Sequence, residues 1–116
     1  MVAKTKRLAD LKRGSLIKVS FDPTAGHEQA GYRPALVLTD GVFHKNTGFV
    51  LCLPITSKQK GLLFEIEIKG KKVRGVALPH GSRMLDLLSR NFKYIEQTSS
   101  ESLSKAQNVL TKLING

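Results

Sequence analysis

Residues 21–35 (Phe-Asp-Pro-Thr-Ala-Gly-His-Glu-Gln-Ala-Gly-Tyr-Arg-Pro-Ala) crowd reactive groups into a short stretch. His27, Glu28 and Arg33 fall within seven residues of one another. An imidazole or a carboxylate can take up a proton, and a guanidinium can hold an anion with two parallel hydrogen bonds. Pro23, Gly26 and Gly31 are interspersed among them, so the segment reads as a loop rather than a helix or an unbroken strand. Pro34 then leads into the apolar run 35–39. A loop carrying these three side chains and held at both ends by strands is a place for catalysis or ligand binding. The other polar turn that could face it is 54–58 (Pro-Ile-Thr-Ser-Lys).

The rest of the chain supplies the frame. Residues 1–12 are polar and basic, an arm or one irregular turn. Residues 15–21 alternate with period two, as a strand does. The loop follows, then a strand over 34–39 and a turn or irregular excursion over 40–48, where Asp40-Gly41 and Asn46-Thr-Gly48 punctuate the chain. The continuous apolar run 49–55 predicts a strand buried on both faces. Residues 63–69 alternate, with Phe64, Ile66 and Ile68 inward and Glu65, Glu67 and Lys69 outward. The basic stretch 69–74 reads as an exposed hairpin into a strand over 73–78, and short strands are expected at 82–85 and 92–95. Thr98-Ser-Ser-Glu101 has capping-box spacing. Leu103, Ala106, Leu110, Leu113 and Ile114 then recur at helical spacing, predicting a terminal amphipathic helix over 99–115. The expected fold is mainly β with a C-terminal α-helix: a small, strongly curved antiparallel barrel with a covering helix, one domain over 1–116.

At 116 residues the chain can bury about two-thirds of its unfolded surface. Nineteen Lys and Arg against nine Asp and Glu give a net charge of +10, a field that attracts polyanions such as nucleic acid or an acidic protein. The single cysteine, Cys52, lies in the apolar run and reads as a packed core thiol. It excludes an internal disulfide and suits a reducing cytoplasm. No Cys/His spacing suggests zinc, no carboxylates cluster to hold a hard cation, and no cofactor is expected. No run approaches the length needed to span a membrane, so no membrane partner is expected. His44 reads as a solvated loop residue, with phosphate contact alongside Lys45 as the alternative.

The 22–35 loop resembles the signature loop of the MazF/PemK family of toxin endoribonucleases. The 54–58 turn is similar to that family's second motif and 75–78 (Gly-Val-Ala-Leu) to its third, and the likeness runs over about residues 13–95. It implies a barrel related to SH3-like and CcdB-like folds, a homodimer, and metal-independent, sequence-specific cleavage of single-stranded RNA. It also implies an acidic MazE/PemI-like antitoxin as partner. By the same resemblance Arg33 would hold the scissile phosphate and Thr56 would donate to it. Glu28 is a candidate base or a group that positions Arg33, and His27 would polarise or bind the phosphate. Gln29, Tyr32, Ser57, Lys58 and Lys60 are candidate RNA contacts; Tyr32 and Phe21 are candidate stacking surfaces, with core packing the favoured reading for Phe21. The chain departs from the PemK pattern after the third motif, where an Arg-x-Asp pair is replaced by Leu78-Pro79-His80; His80 is a candidate substitute base. Two other readings remain at this stage: a non-catalytic toxin of CcdB type that binds a protein target such as gyrase, and an RNA-binding barrel without chemistry.

Overall fold

The structure, a computed structural model, describes residues 7–21, 32–58, 61 and 64–116. Among these residues seven strands occur in the order β1 (Ser15–Ser20), β2 (Tyr32–Val37), β3 (Phe49–Thr56), β4 (Ile66–Lys69), β5 (Arg74–Ala77), β6 (Arg83–Asp86) and β7 (Phe92–Gln97). Helix α1 (Gly41–Thr47) separates β2 from β3, and helix α2 (Ser100–Asn115) ends the chain. The sheet runs β4-β5-β3-β2-β1-β7, with β6 paired separately to β3. Every pairing is antiparallel.

Strand β3 is the centre. Its first half pairs with β6 (Phe49 to Cys52 against Asp86 to Arg83), and its last two residues pair with β5. Its other edge lies on β2, Ala35 opposite Pro54. Successive side chains of a strand point to opposite faces. Val50 and Cys52 therefore enter one core, with Ile17, Val19, Ala35, Val37 and Leu85. Leu53 and Ile55 enter another, with Leu16, Leu36, Ile66, Ile68 and Ala77. A strand covered on both sides has no polar face, which is why 49–55 is apolar throughout. Cys52 is fully buried, and burial pushes its thiol up to about 12.

The first core is covered in part by the N-terminal segment, where Leu11 is fully buried and Leu8, from the short 3-10 turn Leu8–Asp10, packs against it. The second is covered by α2 through Leu103, Ala106, Val109 and Leu110. The sheet curls until the β4–β5 hairpin meets β7 at the opposite edge. There the Glu96 carboxylate accepts the N–H groups of Lys71, Lys72 and Val73 at 3.1, 2.8 and 2.9 Å. These bonds hold the Glu96 carboxyl below its ordinary pKa. A hairpin that would otherwise project into solvent is thus tied across the barrel. The result is the expected mostly-β architecture: a curled antiparallel half-barrel with one C-terminal helix.

Several local expectations change. Residues 41–47 form a helix, not an irregular excursion. Asp40 takes the N-cap position and Gly48, at φ 78°, closes the helix in the left-handed conformation that glycine allows. The two turn signals are the ends of an element too short to show a helical period. His44 is accordingly buried, not solvated; its Nε2 lies 2.8 Å from the Thr39 hydroxyl. Phe64 is 53% exposed and precedes β4, because strand pairing starts only at Ile66. The cap of α2 is Ser99, whose hydroxyl accepts the Ser102 N–H, so the helix starts one residue later than the Thr98–Glu101 spacing implies. The Ser102 hydroxyl instead donates to the Glu67 carbonyl at 2.9 Å and ties the helix start to β4. Leu113 and Ile114 are 49% and 80% exposed, since the last turn of α2 runs beyond the sheet.

Candidate functional site

The site begins where β2 starts and β3 ends. Antiparallel register sets Ala35 opposite Pro54, so Arg33 and Pro34 rise beside Ile55 and Thr56. Strand β5 joins the same end of β3 by pairing Val76 with Thr56, which brings Arg74 to the rim. The close approach of β5 depends on Gly75. A Cβ at that position would stand 2.3 Å from the Thr56 carbonyl oxygen, against backbone that cannot yield, and its φ of 152° disfavours other residues. The glycine of the third motif therefore seats the strand that presses on Thr56.

These elements enclose an open cleft of about 510 Å³. Tyr32, Arg33 and Pro34 line it from β2. Ile55 and Thr56 line it from β3, Ser57 and Lys58 from the turn beyond, and Arg74 from β5. Arg33 is half-buried, Lys58 and Arg74 are exposed, and Tyr32 is 52% exposed. The Thr56 hydroxyl oxygen accepts the Lys58 N–H at 3.2 Å, a local turn bond that leaves its proton to donate elsewhere. None of the three cations of the cleft has an ion-pair partner among the described residues. Cations converging with a hydroxyl, and no described anion among them, suit a phosphate.

The structure brings together Arg33, Thr56, Tyr32, Ser57 and Lys58 from the sequence-derived candidates. His27, Glu28, Gln29 and Lys60 lie outside the described residues. His80 is exposed on the 3-10 turn Pro79–Gly81 and is not among the residues that line this cleft. The chain leaves β5 at Ala77, and the Leu78 N–H donates to the Pro54 carbonyl at 3.0 Å before the turn at Pro79. Phe21 is 3% exposed in the core, beneath the Arg83 guanidinium at 5.6 Å, so it offers no free stacking face. Arg74 was missed because the basic run 69–74 looks like solvated hairpin. Its adjacency to Gly75 was the available signal. No group of three His, Cys, Asp or Glu among the described residues could hold a metal ion.

The model of the PemK-like, MazF-like toxin of type II toxin-antitoxin systems matches residues 12–114. The chain belongs to this family. Over 65 residues it is 51% identical to the endoribonuclease toxin MazF of Escherichia coli strain K12, a match covering 56% of this chain and 59% of that protein. It is 32% identical to the endoribonuclease PemK of Escherichia coli, over 91% of this chain and 86% of the other. Among solved structures, MazF from Deinococcus radiodurans superposes with a TM-score of 0.83 at 34% identity, covering 91% of this chain and 97% of that one. A MazE–MazF complex from the same organism gives 0.82 at 34% identity, covering 94% and 97%. The family's β-rich fold with its terminal helix is thus the fold seen here. No helix among the described residues is long and apolar enough to cross a membrane.

Proposed function

We propose that this chain is a metal-independent, sequence-specific endoribonuclease toxin that cuts single-stranded RNA and is neutralised by an acidic antitoxin. The observation that carries the proposal is the convergence of Arg33, Thr56 and Arg74 in one cleft of the family fold. In the reaction the 2′-oxygen of the RNA attacks the adjacent phosphorus. The 2′-O–P bond forms, the P–O5′ bond breaks, the 2′-proton passes to a base and the departing 5′-oxygen takes up a proton. The products carry a 2′,3′-cyclic phosphate and a 5′-hydroxyl. Arg33 binds the phosphate and stabilises the charge that builds on its oxygens, Thr56 donates a hydrogen bond to it, and Arg74 adds a second cation. Glu28 and His27 are the proposed partners for the proton, and Gln29, Tyr32, Ser57, Lys58 and Lys60 the proposed RNA contacts. Stacking by Tyr32 is supported by its lining the cleft while about half exposed.

The family relatives support the partner as well, since MazF of Deinococcus radiodurans has been solved with MazE. A net charge of +10 favours an acidic occupant of the same groove. We also propose a homodimer, formed through the apolar surface that α1, the start of β3 and β6 share. Val42, Phe43, Phe49, Met84 and Leu88 are 74, 37, 38, 49 and 77% exposed. The cytoplasm is the proposed compartment.

The test is cleavage of a long single-stranded RNA in EDTA, with the ends mapped. Wild type is expected to give discrete cuts with 5′-hydroxyl ends, and folded Arg33→Ala to lose about a hundredfold or more of the rate. Equal cutting by both would move the chemistry away from Arg33. Binding without cutting by wild type would leave an RNA-binding barrel, and gyrase inhibition with intact RNA a toxin of CcdB type.

A further inference from the structure

A second basic cleft, of about 260 Å³, opens beside β7, lined by Lys18, Lys72, Lys93, Tyr94 and Ile95. Lys18 and Lys93 lie directly opposite each other across the β1–β7 ladder. Like charges at such a pair repel, and Lys72, from the β4–β5 hairpin, adds a third. All three are exposed, and none has an ion pair among the described residues. The carboxylate beside Lys72, Glu96, turns both oxygens onto the hairpin N–H groups. Among the described residues, three ammonium groups thus line one concavity and no carboxylate does; Glu96, outside the lining, attracts the Lys72 charge from the side.

This cleft joins the Arg33 cleft along two walls. On one, Lys93, Lys18 and Pro34 form a row across β7, β1 and β2, and Pro34 lines the Arg33 cleft. With strands about 4.8 Å apart the row spans about 10 Å. On the other, Lys72 and Arg74 belong to the same hairpin and line one cleft each. We infer that Lys18, Lys72 and Lys93 form a phosphate-binding subsite for the RNA strand beyond the cutting site, reached over Pro34. The inference rests on the reading of the Arg33 cleft as the place where the RNA is held. The subsite grips the backbone through charge, so it adds affinity without adding sequence preference.

The test uses 2′-O-methyl oligouridylates of 4 and 12 nucleotides, whose blocked 2′-oxygens prevent cutting, with affinity followed by anisotropy across a KCl series. For wild type the 12-mer is expected to show the steeper dependence of log K on log salt. In K18Q/K72Q/K93Q its slope is expected to flatten by about 2, one phosphate for each lysine at about 0.7 per single-strand phosphate. Replacing the same lysines by arginine is expected to keep the slope. Because the side chains are exposed and Lys18 and Lys93 repel, the glutamine variant is expected to melt at or above the wild-type temperature in low salt. An unchanged 12-mer slope in that variant overturns the inference and leaves the Arg33 cleft standing. Arg33→Ala binding both lengths as wild type does would sink the Arg33 reading first and the inference with it. Loss of affinity for a polyglutamate peptide, with the RNA slope intact, would make the cleft a protein-binding site and overturn the inference too.

Discussion

Thr56 joins a structural role to the proposed reactive one: its oxygen accepts the Lys58 amide that shapes the turn, while its proton is left free to donate. His44 is the opposite case, a polar side chain buried for structure. Its Nε2 meets Thr39, whose hydroxyl oxygen also accepts the Leu51 N–H at 3.1 Å, while Nδ1 has no well-formed partner. Burial pushes the imidazole below its ordinary pKa; the Leu8 and Leu11 carbonyls and Asp40 oppose that shift, and Arg13 adds to it. The unfolded chain therefore binds a proton on His44 more readily than the folded one. The stabilisation is fully present above the unfolded value of about 6.5 and is lost as pH falls from there towards the folded value. The urea midpoint is expected to drop over that window while the His44 ring signal titrates below 6.5 by NMR. A ring titrating at or above the ordinary histidine value would refute this account.

At the scale of elements, the β4–β5 hairpin stands out because one side chain from a distant strand organises its turn. Three amides converge on Glu96, and the hairpin they fix carries Arg74 into one cleft and Lys72 into the other. The folded carboxyl is held below its ordinary pKa, so its contribution is present above the unfolded value and is lost as pH falls through the folded one. Glu96→Gln is expected to melt below wild type at pH 7, with the gap closing as both are taken into acid. Identical melting at neutral pH would mean that the turn holds itself. Helix α1 teaches a related lesson. Seven residues give fewer than two turns, so caps define it and periodicity cannot.

On the whole molecule, charge and exposed apolar surface divide the labour. A net charge of +10 would speed encounter with the proposed RNA and acidic partner. The apolar surface around Val42, Phe49, Met84 and Leu88 is the proposed meeting place of two copies. Leu88 also packs beside Gly48, where an added Cβ would come within 2.6 Å of its Cδ1. Because Leu88 is 77% exposed, Leu88→Glu is expected to leave the fold intact and to convert a dimer to a monomer in light scattering. A wild-type protein that is already monomeric at tens of micromolar would remove the dimer from the proposal.

Much of this was legible in the chain itself. Period-two alternation marks β1 and β4, the continuous apolar run marks β3 as the strand covered twice, and helical spacing marks α2. The 22–35 and 54–58 motifs named the family and brought Arg33 and Thr56 forward, and Arg33 and Thr56 indeed line one cleft. Such signals are local, because each depends only on which way neighbouring side chains point. What only the tertiary structure decided depends on register and curl, which relate residues far apart in sequence. Glu96 capturing the hairpin, Arg74 entering the Arg33 cleft, His44 buried under the N-terminal turn, and Lys18 set against Lys93 all arise when the sheet closes on itself. A basic run or a lone histidine reads the same in sequence whether it faces water or a cleft, and the fold alone separates the two.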